Sequence, residues 1–265
     1  MSEVVIRIND LGKRYSRNPV RSYIPNPTLR EALSGLIDRS RRGVGNSGSQ
    51  DTTFWALREV TFDVERGQTI GIIGSNGAGK STLLKILARI ILPNEGYAQV
   101  QGQAGSLLQI GLGFHPDLTG RENVYLNGAV LGMKRATVAE RFDAIAAFSE
   151  IEDFIDTPVK RYSHGMYVRL AFSVAAHMEQ DVLLIDEVLA AGDLRFQQKS
   201  FEKIRAMTSG GKTVLIVSHA MNKVRELADR AIWIDGGRIR SMGEPDRVCR
   251  EYEEASLKRS PTAAA

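Results

Sequence analysis

The run Gly74 to Thr82, "GSNGAGKST", limits what this chain can become more than any other stretch. It directly follows the apolar run "TIGII" and leads directly into the helical pattern "LLKILA", so a buried strand must become a helix within a few residues. Glycines let the backbone curl with its N–H groups facing inward, and the positive end of the following helix adds to them. Such a loop cradles phosphate with few cationic side chains. Gly74, Ser75, Asn76, Gly77, Ala78 and Gly79 form the cradle, Lys80 supplies a point charge for the β and γ phosphates, Ser81 offers a hydroxyl to Mg²⁺, and Thr82 completes the pattern. The plainer alternative is a glycine turn before a helix.

A phosphate loop of this kind needs a carboxylate at the edge of a nearby strand. "DVLLIDE" supplies one: Val182 to Ile185 reads as a central parallel strand, and Asp186 at its C-terminal edge can hold the hydration shell of Mg²⁺. Glu187, next in line, can orient or deprotonate an attacking water. An acidic helix cap after a core strand is the competing account of this pair. Together the two motifs point to a nucleoside triphosphatase.

With 265 residues and 43% hydrophobic content, the chain can bury the core of one large α/β domain or of two small ones, and one domain with a subdomain is the expectation. Its 35 basic and 31 acidic residues leave a net charge of +4, too mild to imply a nucleic-acid partner. The lone cysteine, Cys249, excludes an intrachain disulfide and fits a reducing compartment such as the cytoplasm. No run of about 18 apolar residues occurs, and the start "MSEVVIRIND" carries charges that suit a strand rather than a signal peptide. The expectation is a chain that does not span a membrane and works at one only through a partner.

Along the chain, "VVIRI" (Val4 to Ile8) predicts a short strand, and "FWALREVTFDVERGQTIGIIG" predicts two more ending at Gly74. Between Tyr15 and Phe54 the pattern breaks into a proline-containing insertion, a length that compact domains seldom carry without a use. After the Lys80 to Ala88 helix come a β-rich piece, "YAQVQGQAGSLLQI", and helical periodicity from Arg121 to about Ile155. Helices follow at "QQKSFEKIRAM" and "MNKVRELAD", with the strand "TVLIVS" between them. "AIWIDGGRIRSMG" predicts a hairpin turning at Gly-Gly, and "LKRSPTAAA" a disordered tail.

Taken in order, "GSNGAGKST", "YSHGM", "LLIDE", "AAGD" and "VSHA" resemble the nucleotide-binding subunits of ATP-binding cassette (ABC) transporters over nearly the whole chain. The resemblance implies an α/β fold: a P-loop NTPase cassette with a RecA-like core, an antiparallel β subdomain and an α-helical signature subdomain. It implies ATP and Mg²⁺ as cofactors, and a homodimer closing head to tail around two nucleotides. "YSHGM" looks like the family's signature motif, where Ser163 and the N–H groups of Gly165 and Met166 open a helix toward the γ-phosphate held by the other copy. His164 replaces the first glycine of that motif and Met166 its glutamine, which puts the strength and pH dependence of the cross-dimer contact in doubt. Gln109 resembles the Q-loop residue that touches Mg²⁺, Asp193 the D-loop carboxylate and His219 the switch histidine that bonds the γ-phosphate; with Glu187, His219 would carry catalysis. Tyr15 is the expected adenine-stacking aromatic, with Tyr23 and Trp55 as rivals.

A narrower resemblance, to the polysaccharide-export branch, rests on "GLGFHPDLTGRENVYLNGAVLGM", "DEVLAAGDLRFQQK", "VSHAMNKVRELADRAIWIDGGRI" and "RVCREYEEA". It implies an ATPase for a lipid-linked polysaccharide of O-antigen, capsule or teichoic acid type. Its partner would be a transmembrane permease dimer at the cytoplasmic face of the inner membrane, meeting the segment from Phe114 to Asn123. The expected form lacks a C-terminal carbohydrate-binding domain. Domain limits are expected at 1–248 for the cassette, with 16–53 inserted and 110–175 helical, and at 249–265 for a helix end and tail. The insertion's Arg17, Arg21, Arg30, Arg39, Arg41 and Arg42 suit an anionic leaflet or lipid pyrophosphate, or simply solvent. A transporter subunit for a drug, lipid or small molecule is the alternative function.

Overall fold

The computed structural model describes residues 3–16, 53–107, 111–186 and 193–259. Two compact units divide the chain, Met1–Lys13 with Ala56–Ala265, and Arg14–Trp55. Nearly all of the expected insertion lies outside the described residues, as do its arginines and Tyr23.

In chain order the elements are β1 (Val4–Ser16), β2 (Thr53–Glu65), β3 (Thr69–Ile73), α1 (Lys80–Leu87), β4 (Glu95–Val100) and β5 (Ala104–Ser106), then α2 (Gly120–Val130), α3 (Arg135–Ser149) and α4 (His164–Ala175). β6 (Val182–Ile185), α5 (Leu194–Ser209), β7 (Thr213–Val217), α6 (Met221–Leu227), β8 (Arg230–Asp235), β9 (Arg238–Gly243) and α7 (Pro245–Arg259) follow. Among the described residues a three-stranded sheet has the order β2-β1-β4, and a six-stranded sheet the order β5-β6-β7-β3-β8-β9. In the larger sheet β5, β6, β7, β3 and β8 run parallel and only β9 is antiparallel. This arrangement is the α/β core with an antiparallel subdomain that the family resemblance implies.

Alternation within the parallel strands explains their unbroken aliphatic runs. Val182 and Leu184 of β6 enter one core with Leu83, Leu84 and Leu87 of α1, while Leu183 and Ile185 enter another with Phe172 and Val174 of α4. β7 divides likewise, Leu215 and Val217 to the first core, Val214 and Ile216 to the second. A strand buried on both faces has no polar side to show. The second core also takes Val124 of α2 with Val138, Phe142 and Ile145 of α3, so the helical part is fastened to the sheet through α4.

Two elements are longer than expected. β1 continues past Ile8 through a register shift between Asn9 and Gly12, with Asp10 at φ 48°. The irregularity brings Leu11 back to the core, and it breaks the strict alternation on which a sequence reading depends. α7 carries Leu257 to Arg259 as helix, where a disordered tail is expected, and runs through the expected limit between 248 and 249. Val248 and Cys249 pack against Ile73, Val224, Ala231 and Trp233, so burial rather than local polarity decides where that helix belongs.

Candidate nucleotide-binding site

The parallel register brings the C-terminal ends of β6, β7 and β3 to one edge, with Ile185 beside Ile216 and Val217 beside Ile72. From that edge emerge Asp186, the Ser218-His219 pair and the loop that begins at Gly74. Chain ends gathered at the carboxyl edge of a parallel sheet form the usual ligand crevice of such folds.

Gly79 is the residue before α1 and adopts φ 110°, ψ −3°, a conformation that side chains rarely take. A Cβ there would lie 2.3 Å from the Ala56 carbonyl oxygen and 2.8 Å from Leu57 Cδ2, so the loop is seated directly on β2. Gly77 is also left-handed, at φ 77°, but nothing lies within 4 Å of its missing Cβ. The β8–β9 turn backs the same loop: Gly237 N donates to Ala78 O at 3.1 Å, and Arg58 N of β2 donates to Gly237 O at 2.8 Å.

Lys80 is only 6% exposed, and its Nζ donates to the carbonyl oxygens of Gly74 (2.7 Å) and Ser75 (2.9 Å). The amine therefore lies within the curl of its own loop. Ser81 Oγ donates to Asp186 Oδ2 at 3.0 Å across 105 positions of chain. A hydroxyl and a carboxylate oxygen side by side at a phosphate loop are the hard donors that Mg²⁺ prefers, and the loop and Lys80 suit the phosphates of ATP. The residues present fit both groups.

His219 follows β7 at a turn held from two sides. Ser218 N donates to Ile72 O of β3 at 3.4 Å, and Ser218 Oγ accepts from Ala220 N at 3.0 Å. Sequence reading passes over Ser218, although a small hydroxyl residue beside a strand-end histidine is a turn signal. Ala56, the seat of the loop, leaves no local signal, and Gly237 signals its hairpin turn but not its bracing of the loop.

The expected signature turn forms as a helix cap. Ser163 Oγ accepts from Met166 N at 3.2 Å, so that N–H, expected to face an anion, is used within the cap. Exposed His164 and half-buried Gly165 begin α4, while the Met166 side chain packs against the helical core. The preceding Tyr162 is fixed by a bond from its hydroxyl to Phe154 O (2.8 Å), and burial pushes its pKa up to about 12. Asp193 caps α5, Oδ1 accepting from Phe196 N at 2.9 Å. Tyr15, near the end of β1, has its ring 5.9 Å from that of Phe54. Gln109 and Glu187 lie outside the described residues. The structure thus joins Ser81 to Asp186 directly, holds Lys80 within its own loop, sets His219 just beyond the intervening strand, and carries Ser163, Gly165, Met166 and Asp193 on other elements.

Residues 57–190 match the family model described as ABC transporter. The chain belongs to the ABC transporter family. This ABC chain is 49% identical over 222 residues to the O-antigen export system ATP-binding protein RfbB of Myxococcus xanthus, covering 83% of this chain and 51% of that protein. It is 46% identical over 202 residues to the RfbB protein of Klebsiella pneumoniae, covering 76% and 82%. The teichoic acids export ATP-binding protein TagH of Listeria innocua is 43% identical over 202 residues, covering 76% and 60%. The chain thus spans about half of the Myxococcus protein and most of the Klebsiella one. Among solved structures, an ATP-binding subunit of an ABC transporter superposes with TM-score 0.70 at 19% identity, covering 96% of this chain and 98% of the other. A dimeric post-hydrolysis ATP-binding cassette bound to ADP and Pi gives 0.66 at 21% identity, covering 91% and 98%. At those identities the likeness bears on the fold. No described helix is long and apolar enough to cross a membrane.

Proposed function

We propose that this chain is the ATP-hydrolysing subunit that powers export of a lipid-linked polysaccharide of O-antigen, capsule or teichoic acid type, working with a separate permease dimer at the cytoplasmic face of the inner membrane. One observation carries the ATPase reading: the bond from Ser81 to Asp186 beside a buried Lys80, a constellation suited to phosphates and Mg²⁺. The names of relatives at 43% to 49% identity support the substrate class.

In this reading the loop N–H groups and Lys80 hold the ATP phosphates, and Ser81, Asp186 and Gln109 hold Mg²⁺, which neutralises phosphate charge when bound. Glu187 takes the proton of the attacking water, His219 bonds the terminal phosphate, and Tyr15 stacks on adenine. A second copy contributes the Ser163 turn with Gly165, and Asp193 lies where the two copies meet. Closure of the pair is driven by the better binding of nucleotide to the closed state, and hydrolysis resets it.

The test is in cells. Replacing the chain by Glu187→Gln should slow ATP turnover at least about tenfold while ATP binding persists, as loss of a general base implies. Lipid-linked polysaccharide should then accumulate on the cytoplasmic side and surface glycan should fall. Unchanged turnover removes Glu187 from its role, and an unchanged glycan profile in a polymer-producing strain moves the substrate to another class.

A further inference from the structure

A charged cluster outside the phosphate loop joins α4, α5 and the end of α3. Arg169 Nη1 on α4 lies 3.8 Å from Glu150 Oε2 and 3.9 Å from Asp193 Oδ2, its side chain 21% exposed. Its Nε is buried with no hydrogen-bond partner. Glu150, which follows α3 at φ 56°, accepts from Lys199 Nζ of α5 at 2.8 Å, and the same amine donates to Phe148 O at 3.0 Å. That bond, more than the nearby Arg195 and Arg169, holds the Glu150 carboxyl below the usual carboxylate range. Asp193 divides its oxygens: Oδ1 caps α5 and Oδ2 faces Arg169.

A guanidinium whose Nε is buried without a partner is costly to keep, and a hydrophobic contact of similar size would pack α4 as well. Its position is informative because of what lies at the two ends of the cluster. α4 begins at the Ser163 turn, and α5 begins at Asp193; both turns face a second copy in the function proposed above. Lys199 ties Glu150 to α5, and Arg169 ties both carboxylates to α4.

We infer that Arg169 is a positioning residue that orients Asp193 against α4, so that the Ser163 turn and the Asp193 turn reach the second copy in a fixed relation. The inference rests on the ATPase reading and adds to it a residue that touches neither nucleotide nor water. The pair Arg169–Asp193 acts as a unit, and Glu150 with Lys199 supplies the fixed side of it.

A double-mutant cycle on the purified full chain tests this, with steady-state ATP turnover, ATP binding and thermal unfolding as readouts. Asp193→Asn keeps the cap, because asparagine caps helices as well as aspartate does, and removes only the charge facing Arg169. Asp193→Asn and Arg169→Gln are each expected to lower kcat by about tenfold with ATP binding unchanged, and the double variant to fall no further than the worse single. Arg169→Lys keeps the charge at ion-pair distance and is expected to stay within about twofold of the parent. It is also the folded comparison if Arg169→Gln does not fold. Unchanged kcat in the single variants, multiplying effects in the double, or a loss in Arg169→Lys as large as in Asp193→Asn overturns the inference. Absence of turnover in the unmodified chain overturns the ATPase reading itself, so the two failures are distinct.

Discussion

Adding one methyl at Gly79 or at Gly77 separates backbone strain from steric seating within a single loop. Both residues have positive φ, 110° and 77°, so alanine at either meets a conformation that L-residues avoid. At Gly77 nothing lies within 4 Å, and the cost is that of the left-handed backbone alone, about 1–2 kcal/mol. At Gly79 the backbone cost is about 1–3 kcal/mol, and the new Cβ must also displace the Ala56 carbonyl or the Leu57 side chain, adding about 1–3 kcal/mol of overpacking. Leu57 is fully buried in a core strand, so neither neighbour has room to retreat. A central total near 4 kcal/mol, at about 2–4 °C per kcal/mol for a domain of this size, lowers Tm by roughly 10 °C or more. The Gly77→Ala loss is expected at about 3–6 °C by the same conversion. Differential scanning fluorimetry of the two variants, with ATP binding measured beside it, reads both quantities. Because Gly79 directly precedes Lys80, its displacement should also weaken ATP binding by at least about tenfold, as misplacement of a positioning loop does. Equal Tm losses in the two variants would refute the claim that the loop is seated on β2.

Two further outcomes follow from titratable groups, one half-buried and one fully buried. Burial holds the His177 pKa below its ordinary 6.5, with smaller pushes from Lys203 and Arg141 and an opposing bond to Ser173 O. The unfolded chain then takes up a proton that the folded chain refuses, so this stability is present above pH 6.5 and is lost as pH falls through the folded value. Chemical denaturation between pH 6.5 and 5 should give a shallower slope for His177→Gln than for the parent, and identical slopes would contradict the assignment. Cys249 is 0% exposed, and burial pushes its thiol up, so a thiol reagent should label it only at the rate of opening; prompt labelling of the native chain would show that α7 does not hold it against Ile73, Val224, Ala231 and Trp233.

Much of the site was legible locally because its chemistry is local. The run from Gly74 to Thr82 needs left-handed glycines and a helix start in one place, and both requirements are written in residue types a few positions apart. Asp186 was legible because an aliphatic run ending in a carboxylate marks a buried strand edge. The same local logic misread β1, whose register shift hides Leu11 from an alternating pattern, and α7, whose polar end gives no sign of being helix.

What the sequence by itself determined is therefore most of the strands and helices and the glycine-rich turn that leads from β3 into α1, since helix period, strand period and glycine conformation are short-range properties. Only the tertiary structure decided that β7 lies between β3 and β6, which sets Ser81 beside Asp186 across 105 positions. It alone seats Gly79 on Ala56, braces Ala78 with Gly237, and gathers Arg169, Glu150, Lys199 and Asp193. The physical reason is that these contacts come from sheet order and core packing, where burial summed over the whole chain selects the neighbours and no short window of residues carries the record.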